Sequence, residues 1–175
     1  IKGTGGTMMC WEIGNAQPCA LKAAQYGMKS IITTQVPYYI NRRQSTDADE
    51  PKVAGYGTDN VKAVYDYVPI PSNVPSNLHK YYIGVQGTFW TEHVQEYDLL
   101  EYLALPRLTA IAETGWSQPE RRDIKDFRRR VLPMLEFMRS KGYNTFDLEN
   151  EHGEREGFLT GGDQKAKGCK VIYNK

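Results

Sequence analysis

Apolar residues along the chain come in two rhythms, short unbroken runs and longer stripes at helical spacing. Thr7-Met8-Met9-Cys10-Trp11 is a short apolar run after glycines and predicts a buried strand. Pro18 to Tyr26 carries alanines and Leu21 at helical spacing and stops at Gly27, the residue type that most often closes a helix. Lys29 to Thr34 is short and β-branched, which predicts a second strand. A strand, a helix and a strand with tight connections imply a parallel pair. Tyr81 to Trp90 reads as a third strand. Asp98 to Gly115 reads as one helix with Leu99, Tyr102, Leu103, Leu108, Ile111 and Ala112 on one side and a kink at Pro106. Asp123 to Lys141 reads as another, with Ile124, Phe127, Val131, Leu135 and Met138 as its buried stripe and Gly142 as its stop.

Residues 41–80 break both rhythms. They hold many polar groups, Gly55, Gly57 and four prolines from Pro51 to Pro75. A short helix around Thr58 to Tyr65 is expected, and the remainder reads as a long loop of functional character. From residue 150 the character changes again. Glu149 to Glu156 is charged, Gly161-Gly162 is flexible in type, and Cys169 to Tyr173 alternates like the start of a strand. Residues 1–150 therefore read as one unit, 151–167 as a linker and 168–175 as the start of another module.

The alternation of strands and helices gives the α/β class. Parallel sheets are normally buried on both faces, so three strands with their helices read as part of a larger sheet or barrel and as incomplete alone. Such a segment is expected to need a partner for its edges.

Composition narrows the function classes. The chain has 175 residues, 25% of them charged, and a net charge of +1, so no strong field favours nucleic acid or an anionic surface. No apolar run is long enough to cross a bilayer. Cys10, Cys19 and Cys169 make an odd count, which argues against a disulfide framework. His79, His93 and His152 do not have metal-ligand spacing, no phosphate-cradling glycine loop occurs, and no cofactor or metal is expected. The arginines at 121, 122 and 128–130 read as a solvated face.

The candidate chemistry lies at the strand ends. Trp11 ends the first strand, Tyr39 and Asn41 follow the second, and Trp90 and Glu92 follow the third. Residues two apart on an extended chain point the same way, so each later end offers a ring beside a polar group. In a parallel barrel these C-terminal ends form the mouth of the active site. Aromatic faces with an amide and a carboxylate suit a sugar. Each residue taken singly is also compatible with packing or with an ordinary solvated carboxylate.

The segments Gly84-Val85-Gln86-Gly87-Thr88-Phe89-Trp90-Thr91-Glu92, Leu105-Pro106-Arg107-Leu108 and Ala112-Glu113-Thr114-Gly115-Trp116-Ser117 resemble glycoside hydrolase family 20, the β-N-acetylhexosaminidases. Met8-Met9-Cys10-Trp11 and Tyr38-Tyr39-Ile40-Asn41 fit the preceding strands of that barrel, so the resemblance covers roughly residues 5–150. Gly168-Cys169-Lys170-Val171-Ile172-Tyr173-Asn174 is similar to the opening of a discoidin-like carbohydrate-binding module.

The resemblance implies the C-terminal portion of a TIM (β/α)8 barrel and a retaining, substrate-assisted hydrolysis of terminal N-acetylhexosamine. It implies Trp11 and Trp90 as pocket walls, Tyr39 as donor to the acetamido oxygen, and Glu92 as acceptor from a sugar hydroxyl. Asn41 stands where well-known members carry Asp for O6, a change expected to retune recognition by about 1 kcal/mol. The family's Asp-Glu pair, which includes the general acid, has no counterpart at a strand end here, since Asp49-Glu50 lies in the polar loop. The chain alone is therefore expected to be inactive, with the rest of the catalytic domain as partner. A parent protein that is secreted, periplasmic or on the cell surface is implied as well. A glycan-binding protein without catalysis and a purely structural role for the aromatics are the rival readings.

Overall fold

The computed structural model describes residues 5–47, 50, 51, 53 and 57–149. The linker and module expected over 151–175 lie outside the described residues. Three short strands, β1 (Thr7–Cys10), β2 (Lys29–Ile32) and β3 (Tyr82–Val85), form one parallel sheet in the order β1-β2-β3. Cys10 lies opposite Ile32, which lies opposite Val85, so the three C-terminal ends are level.

Helix α1 (Ala16–Gln25) connects β1 to β2. Its buried residues, Ala16, Ala20, Ala23 and Ala24, are all small, which lets the helix lie close to the sheet. The chain leaves it through Gly27 at φ +73°, and Met28 N–H closes the turn on Ala23 O at 2.9 Å. A helical turn α2 (Gln35–Tyr38) follows β2, and α3 (Val61–Asp66) is capped by Asn60, which accepts from Ala63 N–H at 2.8 Å.

The stretch expected as one kinked helix is two, α4 (Tyr97–Ala104) and α5 (Arg107–Trp116). Leu105 between them is extended, at φ −104° and ψ 128°. Proline at 106 disfavours helical geometry in the residue before it, so the break falls there. Helix α6 (Ile124–Ser140) begins at Asp123, whose carboxylate accepts from Lys125 N–H at 2.8 Å. It buries Phe127, Val131 and Leu135, one every four residues.

The helices cover one face of the sheet. Met8, Cys10, Ile32, Tyr82 and Val85 join the main apolar cluster with Ile111, Phe127, Leu135 and Leu148, whereas Met9 and Ile83 are exposed. Helix α5 approaches β3 so closely that a Cβ on Gly115 would stand 2.7 Å from Val85 Cγ2. A sheet covered on one face and open at both edges agrees with the expectation of a partial barrel.

One expectation is sharpened and one is corrected. The expected loop after Ile40 is packed inward: Asn41, Arg42, Gln44, Glu50, Thr58, Asp59 and Asn60 are all buried. The arginines around α6 are not simply solvated. Arg122 donates to Tyr65 O and Tyr67 O at 2.5 and 2.9 Å, Arg128 to Leu148 O at 2.7 Å, and Arg130 bridges Glu113 and Asp126. Cys10 is buried and Cys19 exposed, both as free thiols.

Candidate functional site

Beyond the strands the chain continues in extended steps that still hold the sheet order. Thr33 N–H donates to Cys10 O at 3.0 Å and Gln35 N–H to Trp11 O at 2.7 Å, which ties the end of β1 to the exit of β2. Thr88 does the same between β2 and β3. Its N–H donates to Tyr38 O at 2.8 Å, its carbonyl accepts from Ile40 N–H at 2.9 Å, and its hydroxyl meets that of Thr33 at 2.6 Å. Gly87, just before, passes where a Cβ would stand 2.8 Å from Ile111 Cδ1. The strand expected to reach Trp90 therefore ends at Val85, and a single bridge between Tyr39 and Thr88 carries the pairing outward.

These ties bring Tyr39 and Trp90 together, with ring centroids 5.9 Å apart and planes at 56°. Tyr39 is buried and Trp90 is 46% exposed, so the pair presents one sheltered ring and one ring open to solvent. Trp11, at the level end of β1, is 52% exposed. Glu92 is exposed in the turn after Trp90, so Trp90 and Glu92 belong to a loop and not to a strand. Asn41 is 1% exposed, and neither atom of its amide has a partner. A buried amide left without hydrogen bonds is costly.

Against Ile40 and Arg42 lies a charged centre, of which the sequence marks only Arg107, and that only as part of the Leu105-Pro106-Arg107-Leu108 segment. Arg107, at the start of α5, is fully buried. Its Nη2 donates to Ile40 O at 2.6 Å and to Arg42 O at 2.8 Å, its Nη1 to Asp59 O at 3.0 Å, and its Nε to Leu103 O at 3.0 Å. Arg42 pairs with Asp59 at 2.6 Å, both out of water. Glu50 accepts from Gln44 N–H at 2.6 Å, from Tyr102 O–H at 2.7 Å and from Ser45 O–H at 3.1 Å. Burial pushes the Arg107 guanidinium down to about 10, against the pull of Asp59 and Glu50. It also pushes the Asp59 carboxyl up, while Arg42 and Arg107 act in the opposite direction. Two guanidinium and two carboxyl groups are thus buried within reach of one another.

Comparison with known proteins decides the family. The family model described as glycosyl hydrolase family 20, catalytic domain, matches residues 2–119. The chain belongs to glycosyl hydrolase family 20. A β-hexosaminidase of Porphyromonas gingivalis is 34% identical over 93 residues, 53% of this chain and 12% of that protein. A β-N-acetylhexosaminidase of Cellulomonas fimi is 30% identical over 143 residues, 79% of this chain and 28% of that protein. The solved family 20 exo-β-N-acetylglucosaminidase of Vibrio harveyi, in complex with N-acetylglucosamine, superposes with a TM-score of 0.70 at 25% identity, covering 81% of this chain and 22% of that one. The chain spans less than a third of the length of these relatives. Its three parallel strands are accordingly part of a family 20 barrel.

Within this family 20 segment the other sequence candidates stand apart. His93 is exposed, and His79 makes a bond from Nε2 to Val74 O at 3.0 Å. Among the described residues no group of three His, Cys, Asp or Glu side chains could hold a metal. A cavity of about 810 Å³ beside β3, lined by Ile83, Val85, Pro71 and Trp116, includes none of Trp11, Tyr39, Asn41, Trp90 and Glu92. Arg107 had one signal in the sequence, a charge in the midst of an apolar stretch from Leu103 to Ile111. A charge there must find internal partners.

Proposed function

We propose that the protein acts as a β-N-acetylhexosaminidase that removes terminal N-acetylhexosamine from glycans with retention, and that this chain builds one side of its sugar pocket. The observation that carries the reading is the pairing of the Tyr39 and Trp90 rings at 5.9 Å across adjacent strand ends, in a family 20 segment. Relatives named β-hexosaminidase and a family 20 neighbour solved with N-acetylglucosamine support it.

In this reading the acetamido oxygen of the substrate is the nucleophile, as the family's substrate-assisted scheme requires. Tyr39 donates its hydroxyl to that oxygen and holds it beneath the anomeric carbon, which removes the entropy of searching for that geometry. Trp90 and Trp11 flank the sugar and exclude water. Glu92 accepts from a ring hydroxyl, and Asn41 borders the same pocket. None of these groups protonates the leaving oxygen. That task falls to a carboxylic acid elsewhere in the barrel.

A protein carrying the whole barrel is expected to release the chromophore from an aryl N-acetyl-β-glucosaminide, and the 175-residue chain alone is expected to release none. No release from a folded whole-barrel protein contradicts the reading. Glycan-dependent fluorescence change without turnover would favour a binding protein instead.

A further inference from the structure

We propose that Arg107 is a positioning residue for the acetamido pocket, acting on the reaction through the backbone of Ile40 to Arg42 without touching substrate. The proposal rests on the hexosaminidase reading above. Nη2 of Arg107 reaches Ile40 O and Leu103 O at 2.6 Å and Arg42 O at 2.8 Å, so its two N–H groups are shared among three carbonyls, two of which stand on either side of Asn41. A guanidinium is planar and its fork of donors is fixed, so this shared grip ties residues 40–42 to the end of α4. Lysine offers a point charge without that fork.

The same segment is held from the other side by Ile40 N–H on Thr88 O at 2.9 Å. Residues 40–42 are thus clamped between the start of α5 and the continuation of β3. Tyr39 is the residue immediately before the clamp, and its backbone is paired with Thr88. Asn41 sits inside the clamp with an unpartnered amide, so its own side chain supplies no anchorage. The grip of Arg107 keeps this residue inside. Asp59 and Glu50 balance the charges of Arg42 and Arg107, which lets the clamp stay dry.

The test is a double-mutant cycle in a protein carrying the whole barrel, with Arg107→Lys, Tyr39→Phe and the pair, assayed on an aryl N-acetyl-β-glucosaminide. Arg107→Lys is expected to lower kcat about 10²-fold, the scale of a misplaced reacting group, with KM changed far less. In the Tyr39→Phe background the same substitution is expected to cost only about threefold, because both act on one geometry. Losses that multiply, or an unchanged kcat in folded Arg107→Lys, overturn the proposal and leave the hexosaminidase reading standing. A folded wild-type protein that cleaves nothing overturns both. If Arg107→Lys does not fold, Asp59→Asn, which removes the carboxylate that balances Arg42 and Arg107, takes its place in the cycle. A kcat loss that shrinks in the Tyr39→Phe background supports the clamp, and an unchanged kcat or losses that multiply overturn it.

Discussion

At Arg107 each guanidinium nitrogen is spent on a backbone carbonyl inside the protein, whereas Trp90 and Glu92 stand open to solvent. Both regions flank the short stretch from Tyr39 to Asn41. The inner region is made of charges and is nearly dry; the outer one is made of rings and is half wet. The difference teaches what each is for. Charges removed from water are costly unless paired, which suits the Arg42, Asp59, Glu50 and Arg107 cluster to the mounting role proposed for it. Exposed rings contribute little to folding and remain available to an apolar sugar face.

The inner region is most vulnerable at Asp59. Asp59→Ala leaves Arg42 buried without its partner and should cost about 3–5 kcal/mol of stability in chemical denaturation. A loss below about 1 kcal/mol would mean that water already reaches the cluster. Next comes Tyr39→Phe, which keeps the ring contact with Trp90 and removes only the hydroxyl. It should lower kcat by about 10²-fold, the usual effect of deleting one positioned donor, in a protein that remains folded. A normal kcat would remove Tyr39 from the reaction.

Gly115→Ala addresses the scaffold shared by both regions. The added methyl would meet Val85 at 2.7 Å and should cost about 1–3 kcal/mol through overpacking. Trp90→Ala should cost about 1–2 kcal/mol, since about half the residue is exposed, yet remove most of the tryptophan fluorescence change on adding N-acetylglucosamine. A larger stability loss with the sugar response intact would make Trp90 a packing residue.

The smallest expected effect concerns pH. Burial, partly offset by the hydrogen bond from Gln17, pushes the Tyr67 hydroxyl up to about 12, above its value near 10 in an unfolded chain. The unfolded state therefore loses this proton first as pH rises. The contribution is complete below about 10 and is lost towards about 12. Urea midpoints measured over that range should fall more steeply for the wild type than for Tyr67→Phe, and equal slopes would contradict it.

Much of the architecture was legible because the strands and helices follow the apolar rhythm. β1, β2, α1 and α6 fall where Met8–Cys10, Ile31–Ile32, the alanines and the Phe127–Val131–Leu135 stripe put them. Other features misled. Leu108, Ile111 and Ala112 read as a continuation of the α4 stripe, so two elements read as one, yet α5 buries Arg107, Ala110, Ile111 and Thr114 and leaves Leu108 and Ala112 exposed. Gly87 to Trp90 looks like strand but pairs only at Thr88, because one bridge leaves no periodicity. The rings of the mouth were legible from motif resemblance. The cluster around Arg107 was not, because a side chain bonded to backbone carbonyls selects no particular residue at the other end. Polar residues bonded to distant partners read simply as loop.

The central claim is that the pocket bordered by Tyr39 holds an acetamido oxygen that attacks the anomeric carbon. The direct measurement is the turnover by a whole-barrel protein of aryl β-glucosaminides whose N-acyl group is acetyl, fluoroacetyl, difluoroacetyl or trifluoroacetyl. Each fluorine draws electrons from the attacking oxygen. A steep fall in kcat along the series is expected. A rate indifferent to fluorination would contradict the account.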